Sequence, residues 1–264
     1  MQMLSSSWQK RFSGISRVYG KHSLPLFAKK HICIVGIGGV GSWAAEALTR
    51  SGIGNLTLID MDDICVTNTN RQIHTLQTNI GRSKNKTMSE RIKNINPECH
   101  ITCIDDFLTT TNISTFINHN FSYVIDAIDN AAIKAELVSW CYYNHIPLIT
   151  IGGAGGKINP TKIQISDLSK TIQDPLCAAL RKRLKDKFKI MKNTNGNLKI
   201  DCVFSTEPIL YQQKDGSVST LRNKNYKIQR LDCEKGLGSV SMVTATFGFI
   251  AVSHILHTIL EKST

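Results

Sequence analysis

An apolar run, Ile32 to Val35, enters a turn that holds Gly36, Gly38, Gly39 and Gly41. An Ala-rich helical stretch follows, and a second apolar run ends at Asp60. Strand, glycine turn, helix and a strand with a terminal acid make up a nucleotide-binding unit. The tight turn lets backbone N–H groups approach phosphate, and the start of the helix adds positive potential there. Asp60 lies 24 residues beyond Gly36, where a carboxylate suits ribose hydroxyls. Its plainer role is to cap the end of the strand.

Short apolar segments predict strands at 31–35, 55–60, 100–104, 122–126 and 147–151. Helical patterns fall at 40–50, 82–95, 130–143, 176–191 and 239–260. Strand and helix alternate through residue 151, so the expected fold is α/β: a Rossmann-like, doubly wound and mainly parallel sheet. Ligands of such sheets sit beyond the carboxyl ends of the strands, where Gly36–Gly41, Asp60 and Asp129 all fall. Residues 1–30 read as an N-terminal arm with short helices, and 31–151 as the nucleotide-binding core. Residues 152–264 read as a β-rich C-terminal elaboration closed by the last helix and integral to the same domain. Strand-like pieces near 161–166, 200–204 and 217–221 surround a basic helix there, with Asp215-Gly216 as a hairpin turn.

The residues after Asp60 turn the reading away from a nicotinamide enzyme. Thr67-Asn68-Thr69-Asn70-Arg71-Gln72 gathers amides and a cation in one short segment. Amides position carbonyls or phosphates, and Arg can neutralise phosphate in bidentate fashion. The plainer alternative is a polar helix start with Asn70 as N-cap. Lys86 opens the helix at 82–95 and could reach the same place, or lie solvated on the surface. Asp126 and Asp129 end the fourth strand. Mg²⁺ prefers one or two carboxylates plus substrate phosphates, and Asp129 is placed to supply one, whereas Asp126 suits a structural cap. A cation pair and a metal carboxylate make sense around a triphosphate.

Composition bounds the partners. Lys and Arg number 32 against 20 Asp and Glu, a net charge of +12 that favours an anionic partner. Arg181-Lys182-Arg183-Leu184-Lys185-Asp186-Lys187-Phe188-Lys189 forms a basic amphipathic helix, and Arg222, Lys224, Lys227, Arg230 and Lys235 add charge. Such runs are ordinarily solvated faces, but a polyanionic substrate would use them. Eight cysteines are scattered with no CxxC pair, which argues against structural zinc and suits buried thiols in a reducing cytosol. The N-terminus has no apolar signal core, so a cytoplasmic location is expected. Gly236–Leu260 lacks Asp, Glu, Lys and Arg over 25 residues, long enough to cross a bilayer. Its interspersed Ser, Thr and His residues suit a buried helix better, with membrane association through 236–260 as the alternative.

The glycine turn, IDMDD, TNTNRQ and DAIDN together resemble the ubiquitin-activating-enzyme-like superfamily of adenylating enzymes. The resemblance extends through RFSGISRVYG, GGAGGKINP, KTIQDPL, DCVFSTE and TATFGFIAVSH, over nearly the whole chain. These longer motifs match a branch that cyclises N6-threonylcarbamoyladenosine next to the anticodon in tRNA. The resemblance implies ATP over Gly36, Gly38, Gly39 and Gly41 with its ribose on Asp60. It implies phosphates held by Asn68, Arg71 and Lys86, with Asp62, Asn70 and Gln72 as further nucleotide contacts, and Mg²⁺ on Asp129. It also implies a homodimer in which an N-terminal arginine crosses into the partner's site, Arg17 matching best and Arg11 being the alternative. Arg17, Arg71, Lys86 and Asp129 would then carry the catalysis. The substrate would be tRNA bearing N6-threonylcarbamoyladenosine. Its threonyl carboxylate would become an acyl adenylate, and its own carbamoyl group would displace AMP.

Superfamily relatives also use thiols. Cys233 lies between Arg230 and Lys235, which favours thiolate, and a sulfur-relay role with a cysteine-desulfurase partner is one expectation, with Cys177 and Cys202 as competitors. The runner-up function is an activator of a ubiquitin-like sulfur-carrier protein, although such activators usually carry two CxxC pairs. An NAD-dependent oxidoreductase and a non-catalytic RNA-binding scaffold are further alternatives.

Overall fold

The computed structural model describes residues 5–221 and 237–263. In chain order the helices and strands are α1 (Ser6–Tyr19), α2 (Ser23–Ala28), β1 (His31–Val35), α3 (Gly41–Arg50), β2 (Asn55–Ile59), α4 (Lys84–Ile95), β3 (His100–Ile104), α5 (Ile113–Phe116) and β4 (Tyr123–Asp126). They continue with α6 (Ala131–Tyr143), β5 (Leu148–Ile151), β6 (Ile163–Asp167), α7 (Pro175–Asp186), β7 (Asp201–Ser205), β8 (Tyr211–Gln212), β9 (Val218–Ser219) and α8 (Ser241–Glu261).

Seven strands form one sheet in the order β3-β2-β1-β4-β5-β7-β6. All neighbours are parallel except β6, which runs antiparallel to β7 at the edge. Side chains alternate between the two faces, as the strand period requires. Ile32, Ile34, Leu56 and Leu58 face one layer of helices, where Ala44, Leu48, Met88, Ile92, Val243, Phe247 and Ile255 complete the core. Cys33, Val35, Ile59 and Val124 face the other layer with Ile113, Leu137 and Cys141. A third cluster joins α6 and α7 to β7 through Val138, Leu180, Leu184, Cys202 and Phe204. The two strands β8 and β9 form a separate hairpin, and Gly216 adopts φ +86° at its turn.

The helix starts follow their capping residues. The Asn130 side chain accepts from the N–H groups of Ala132 and Ile133, and that of Asp174 accepts from Cys177 N–H with Pro175 in the first turn. Helix α7 stops at Asp186, short of the 191 expected from the apolar pattern. Lys189 turns into the left-handed region at φ +57°, and Ile190 N–H donates to the Leu184 carbonyl. The chain thereby folds Ile190 back into the cluster, so the apolar residues past 186 belong to the wrap rather than to the helix.

The apolar C-terminal helix is a core element. Of the 18-residue stretch apolar enough to cross a membrane, 56% is buried within the molecule. Gly248 lets α8 lie against α3, because a Cβ there would sit 2.9 Å from the backbone of Val40 and Ala44. A backbone passage as tight as that at Gly54 lies at the site. A Cβ on Gly41 would overlap the carbonyl oxygen of Gly36, itself at φ +91°. A Gly41→Ala variant is expected to lose about 3 kcal/mol of stability, read by urea unfolding, because the obstacle is backbone and cannot move aside.

Candidate nucleotide site

Three chain segments leave the sheet at one level. Val35 pairs with Ile59 on one side and Asp126 on the other, so the glycine turn, Asp60 and the Ala127–Asn130 loop share the carboxyl edge. Gly36 N–H still bonds the Ile59 carbonyl at 2.9 Å, and Ala127 N–H bonds that of Val35. Beyond that point the pairing ends. The N–H groups of Gly38, Gly39, Val40 and Gly41 have no protein acceptor among the described residues. These donors, at the start of α3, form a cradle for an anion.

Asp60 braces this cradle. One carboxylate oxygen accepts from Ile37 N–H at 2.6 Å, and the other from Asp62 N–H at 2.9 Å. An ionised carboxylate has about four lone-pair sites, so acceptor capacity remains for ribose hydroxyls. Burial raises its pKa, opposed by the Lys84 cation and by the two backbone bonds. Asp62 is held differently: its carboxylate pairs with Lys84 Nζ at 2.6 Å. A direct nucleotide contact at Asp62 would compete with that ion pair.

The TNTNRQ segment forms turns after a single 3-10 turn, and Asn70 does not cap a helix. Instead Asn70 Nδ2 donates to the Ser239 carbonyl at 2.8 Å, and its Oδ1 accepts from Arg71 at 3.0 Å. Asn68 is buried, with its Oδ1 accepting from Cys65 N–H. The Arg71 guanidinium donates to the Thr67 carbonyl at 2.9 Å, and its aliphatic stem lies over Gly39. Trp43 Nε1 donates to the Arg71 carbonyl, which fixes the segment on α3. Gln72 is buried beside Gly38, and its Oε1 has no partner. A buried amide oxygen left open at the cradle fits a bound group better than an empty interior.

Lys86 and Asp129 are exposed, and neither side chain has a polar partner among the described residues. Both are therefore free to meet a phosphate or a cation. Among those residues no cluster of three or more His, Cys, Asp or Glu could hold a metal by itself. Asp129 alone fits Mg²⁺ only in company with substrate phosphates, which is the usual habit of that ion. Asp126 is structural: it is fully buried, paired with Lys134 at 2.8 Å, and accepts from Thr150 Oγ1 at 2.6 Å. Arg17 stands apart from this site. Trp8 and Phe12 dock α1 on Gly52, and Tyr19 packs on His257. Thr244, at the other end of α8, is the residue that reaches Arg71, about 20 Å away by helix rise.

Both thiol competitors are buried. Cys177 and Cys202 lie 3.5 Å apart inside the protein, and burial pushes the Cys202 thiol far from ionisation. Cys233 and the basic residues 222–235 lie outside the described residues.

Two groups went unread in the sequence. Lys84, not Lys86, faces inward, and the signal was available: Lys84, Met88 and Ile92 recur every four residues on one helix face. Asn85 is also buried, its Nδ2 donating to the Asp60 carbonyl at 2.6 Å and to Ile104 at 3.0 Å. This ties α4 to the strand end that presents Asp60.

A parallel sheet with an open N–H cradle, a braced carboxylate and free cations at its carboxyl edge defines a nucleotide-binding α/β protein. The chain belongs to the ThiF family, whose model matches residues 14–264. It is 56% identical to tRNA threonylcarbamoyladenosine dehydratase of Escherichia coli over 99% of this chain and 97% of that protein. The enzyme of the same name from Haemophilus influenzae is 51% identical, over 97% of this chain and 95% of its own length. The crystal structure of the E. coli tRNA N6-threonylcarbamoyladenosine dehydratase in complex with ATP superposes with a TM-score of 0.89 at 53% identity, covering 99% of this chain and 98% of that one.

His74, behind this site, is 1% exposed, and neither ring nitrogen has a partner. Burial, with Lys84 and Arg91 nearby, lowers its pKa to about 4. The unfolded chain therefore takes up this proton first as pH falls. Stability is expected to be unaffected by this group above about pH 6.5 and to fall by about 3 kcal/mol between pH 6.5 and 4. Urea unfolding across that range should show the slope, and a His74→Gln variant should flatten it.

Proposed function

We propose that this protein is an ATP-dependent dehydratase of N6-threonylcarbamoyladenosine in tRNA, working in the cytoplasm on tRNA next to the anticodon. The observation that carries the proposal is the open N–H cradle at Gly38–Gly41 with Asp60 braced beside it. The whole-chain similarity to enzymes of that activity supports the choice of substrate.

In this reading Gly36, Gly38, Gly39 and Gly41 admit the phosphates of ATP against the main chain, and Asp60 takes the ribose hydroxyls. Arg71 and Lys86 neutralise phosphate charge, assisted by the Asn68 and Gln72 amides, with Asp62 and Asn70 holding their loops. Asp129 would hold Mg²⁺, which supplies charge neutralisation at the phosphates when bound. The threonyl carboxylate attacks the α-phosphorus, and pyrophosphate leaves. The carbamoyl group of the same side chain then attacks the activated carbonyl, loses a proton and expels AMP, so the nucleoside loses one water overall. No enzyme nucleophile is needed, because the second attack is intramolecular and its effective concentration is high. The work of the protein is positioning and electrostatic stabilisation.

We assign Arg17 to the site of a second copy in a homodimer, because α1 docks at the far end of α8 from its own cradle. A sulfur-transfer partner acting through Cys233 is not required for this chemistry. Activation of a sulfur-carrier protein is the weaker alternative, since the chain lacks the paired CxxC zinc ligands.

Mass spectrometry of tRNA nucleosides after reaction with ATP–Mg²⁺ should reveal an adenosine derivative lighter by one water. Asp129→Ala should slow its formation by on the order of 100-fold, and equal rates would remove Asp129 from the mechanism. Mixing inactive Arg17→Ala and Asp129→Ala proteins should restore activity through heterodimers. A mixture as inactive as its components would refute the crossing arginine.

A further inference from the structure

A groove of about 440 Å³ opens between the start of α7 and the chain leaving β7. Gln173, Asp174, Pro175, Ala178 and Arg181 line one side, and Pro208, Ile209, Tyr211 and Thr220 the other. We propose that it is a second tRNA subsite, seating a single-stranded nucleotide that flanks the reacting adenosine. This rests on the tRNA reading above and deepens it.

Position is the first argument. Strand β7 is parallel to β5, which is parallel to β4, so the groove opens at the same carboxyl edge as the cradle and the Asp129 loop. It lies two strands from β4, about 10 Å at ordinary strand spacing. A polynucleotide held at the cradle can reach it without leaving that edge of the sheet.

The groove is also pre-formed. Lys157 is buried, and its ammonium donates to the carbonyls of Gln173 at 3.2 Å, Ser205 at 3.2 Å and Glu207 at 2.8 Å. One buried cation thus pins both walls together. Burial lowers the Lys157 pKa, opposed by Asp174 and Glu207. The Asp174 carboxylate lies in the wall, but both of its oxygens accept backbone N–H groups, from Gly153 at 2.8 Å and Cys177 at 2.9 Å. Arg181 is anchored through one guanidinium nitrogen to the carbonyls of Leu168 and Thr171, each at 3.2 Å. Its other N–H groups have no partner among the described residues.

Chemistry selects the occupant. The Tyr211 ring, with Ile209, Pro175 and Pro208, offers flat apolar surface of the kind on which an unpaired base stacks. Arg181 offers charge within the groove, and Lys182, Arg183 and Lys185 extend it along exposed α7. Apolar faces beside a positive strip suit a looped single strand rather than a duplex, whose bases are already stacked.

Two variants of the full-length protein test the proposal. Tyr211→Ala removes the stacking face, and Ala178→Trp, at an exposed helix position, fills the groove without disturbing the interior. Each is expected to raise the KM for tRNA about 10-fold, while thermal stabilisation by ATP–Mg²⁺ and conversion of the free threonylcarbamoyl nucleoside stay at wild-type levels. Wild-type conversion of tRNA with KM unchanged in both variants would overturn the groove alone. Equal losses on tRNA and on the free nucleoside would also overturn it, since the effect would then lie at the reacting centre. A wild-type protein that leaves tRNA unaltered would instead overturn the functional reading.

Discussion

The close passage of Gly41 across Gly36 is the constraint on which the site depends. It forces the chain to leave β1 and enter α3 with no side chain between the two segments. Four N–H groups then lie at a helix start without protein acceptors. Such donors must be answered by water or by a ligand. A phosphate answers several at once, which is why the same few residues set both the local fold and the ligand class.

Helix α8 turns this local device into a site. It carries almost no charge, and its apolar residues are matched by those of α3 and the sheet. Its N-terminal end reaches the TNTNRQ loop, where Thr244 Oγ1 donates to the Arg71 carbonyl and the Ser239 carbonyl accepts from Asn70. The polar loop beside the cradle is thus held by a segment almost 170 positions further along the chain. A helix with the length of a membrane span serves here as an internal brace.

Buried cations recur in the same supporting role. Lys134 is paired with Asp126, Lys84 with Asp62, and Lys157 is surrounded by three carbonyls. Desolvating a charge is expensive, and a well-packed apolar substitute is often as stable. What these ammonium groups add is direction. Each ties together segments that leave different strands, and together they fix the relative heights of the loops along the carboxyl edge.

The strand–turn–helix order, the acid at the end of β2 and the polar segment after it were legible in the sequence because each is a local signal. Glycine spacing, strand period and capping residues act over a few positions and need no knowledge of the rest of the chain. The functions of Asp62, Lys84 and Asn70 were not legible, since each is decided by a partner brought close only by folding. Two lysines of one helix, two positions apart, differ in role because one shares the apolar face of Met88 and Ile92 and the other does not. Arg17 shows the same limit at larger scale: its motif is plain, but only the docking of α1 reveals that it lies at the end of α8 far from its own cradle. Composition and local pattern determined that this chain holds a nucleotide at the edge of a parallel sheet. Tertiary structure alone decided which charges stay free to meet it, because a charge is available only when no neighbour has already neutralised it.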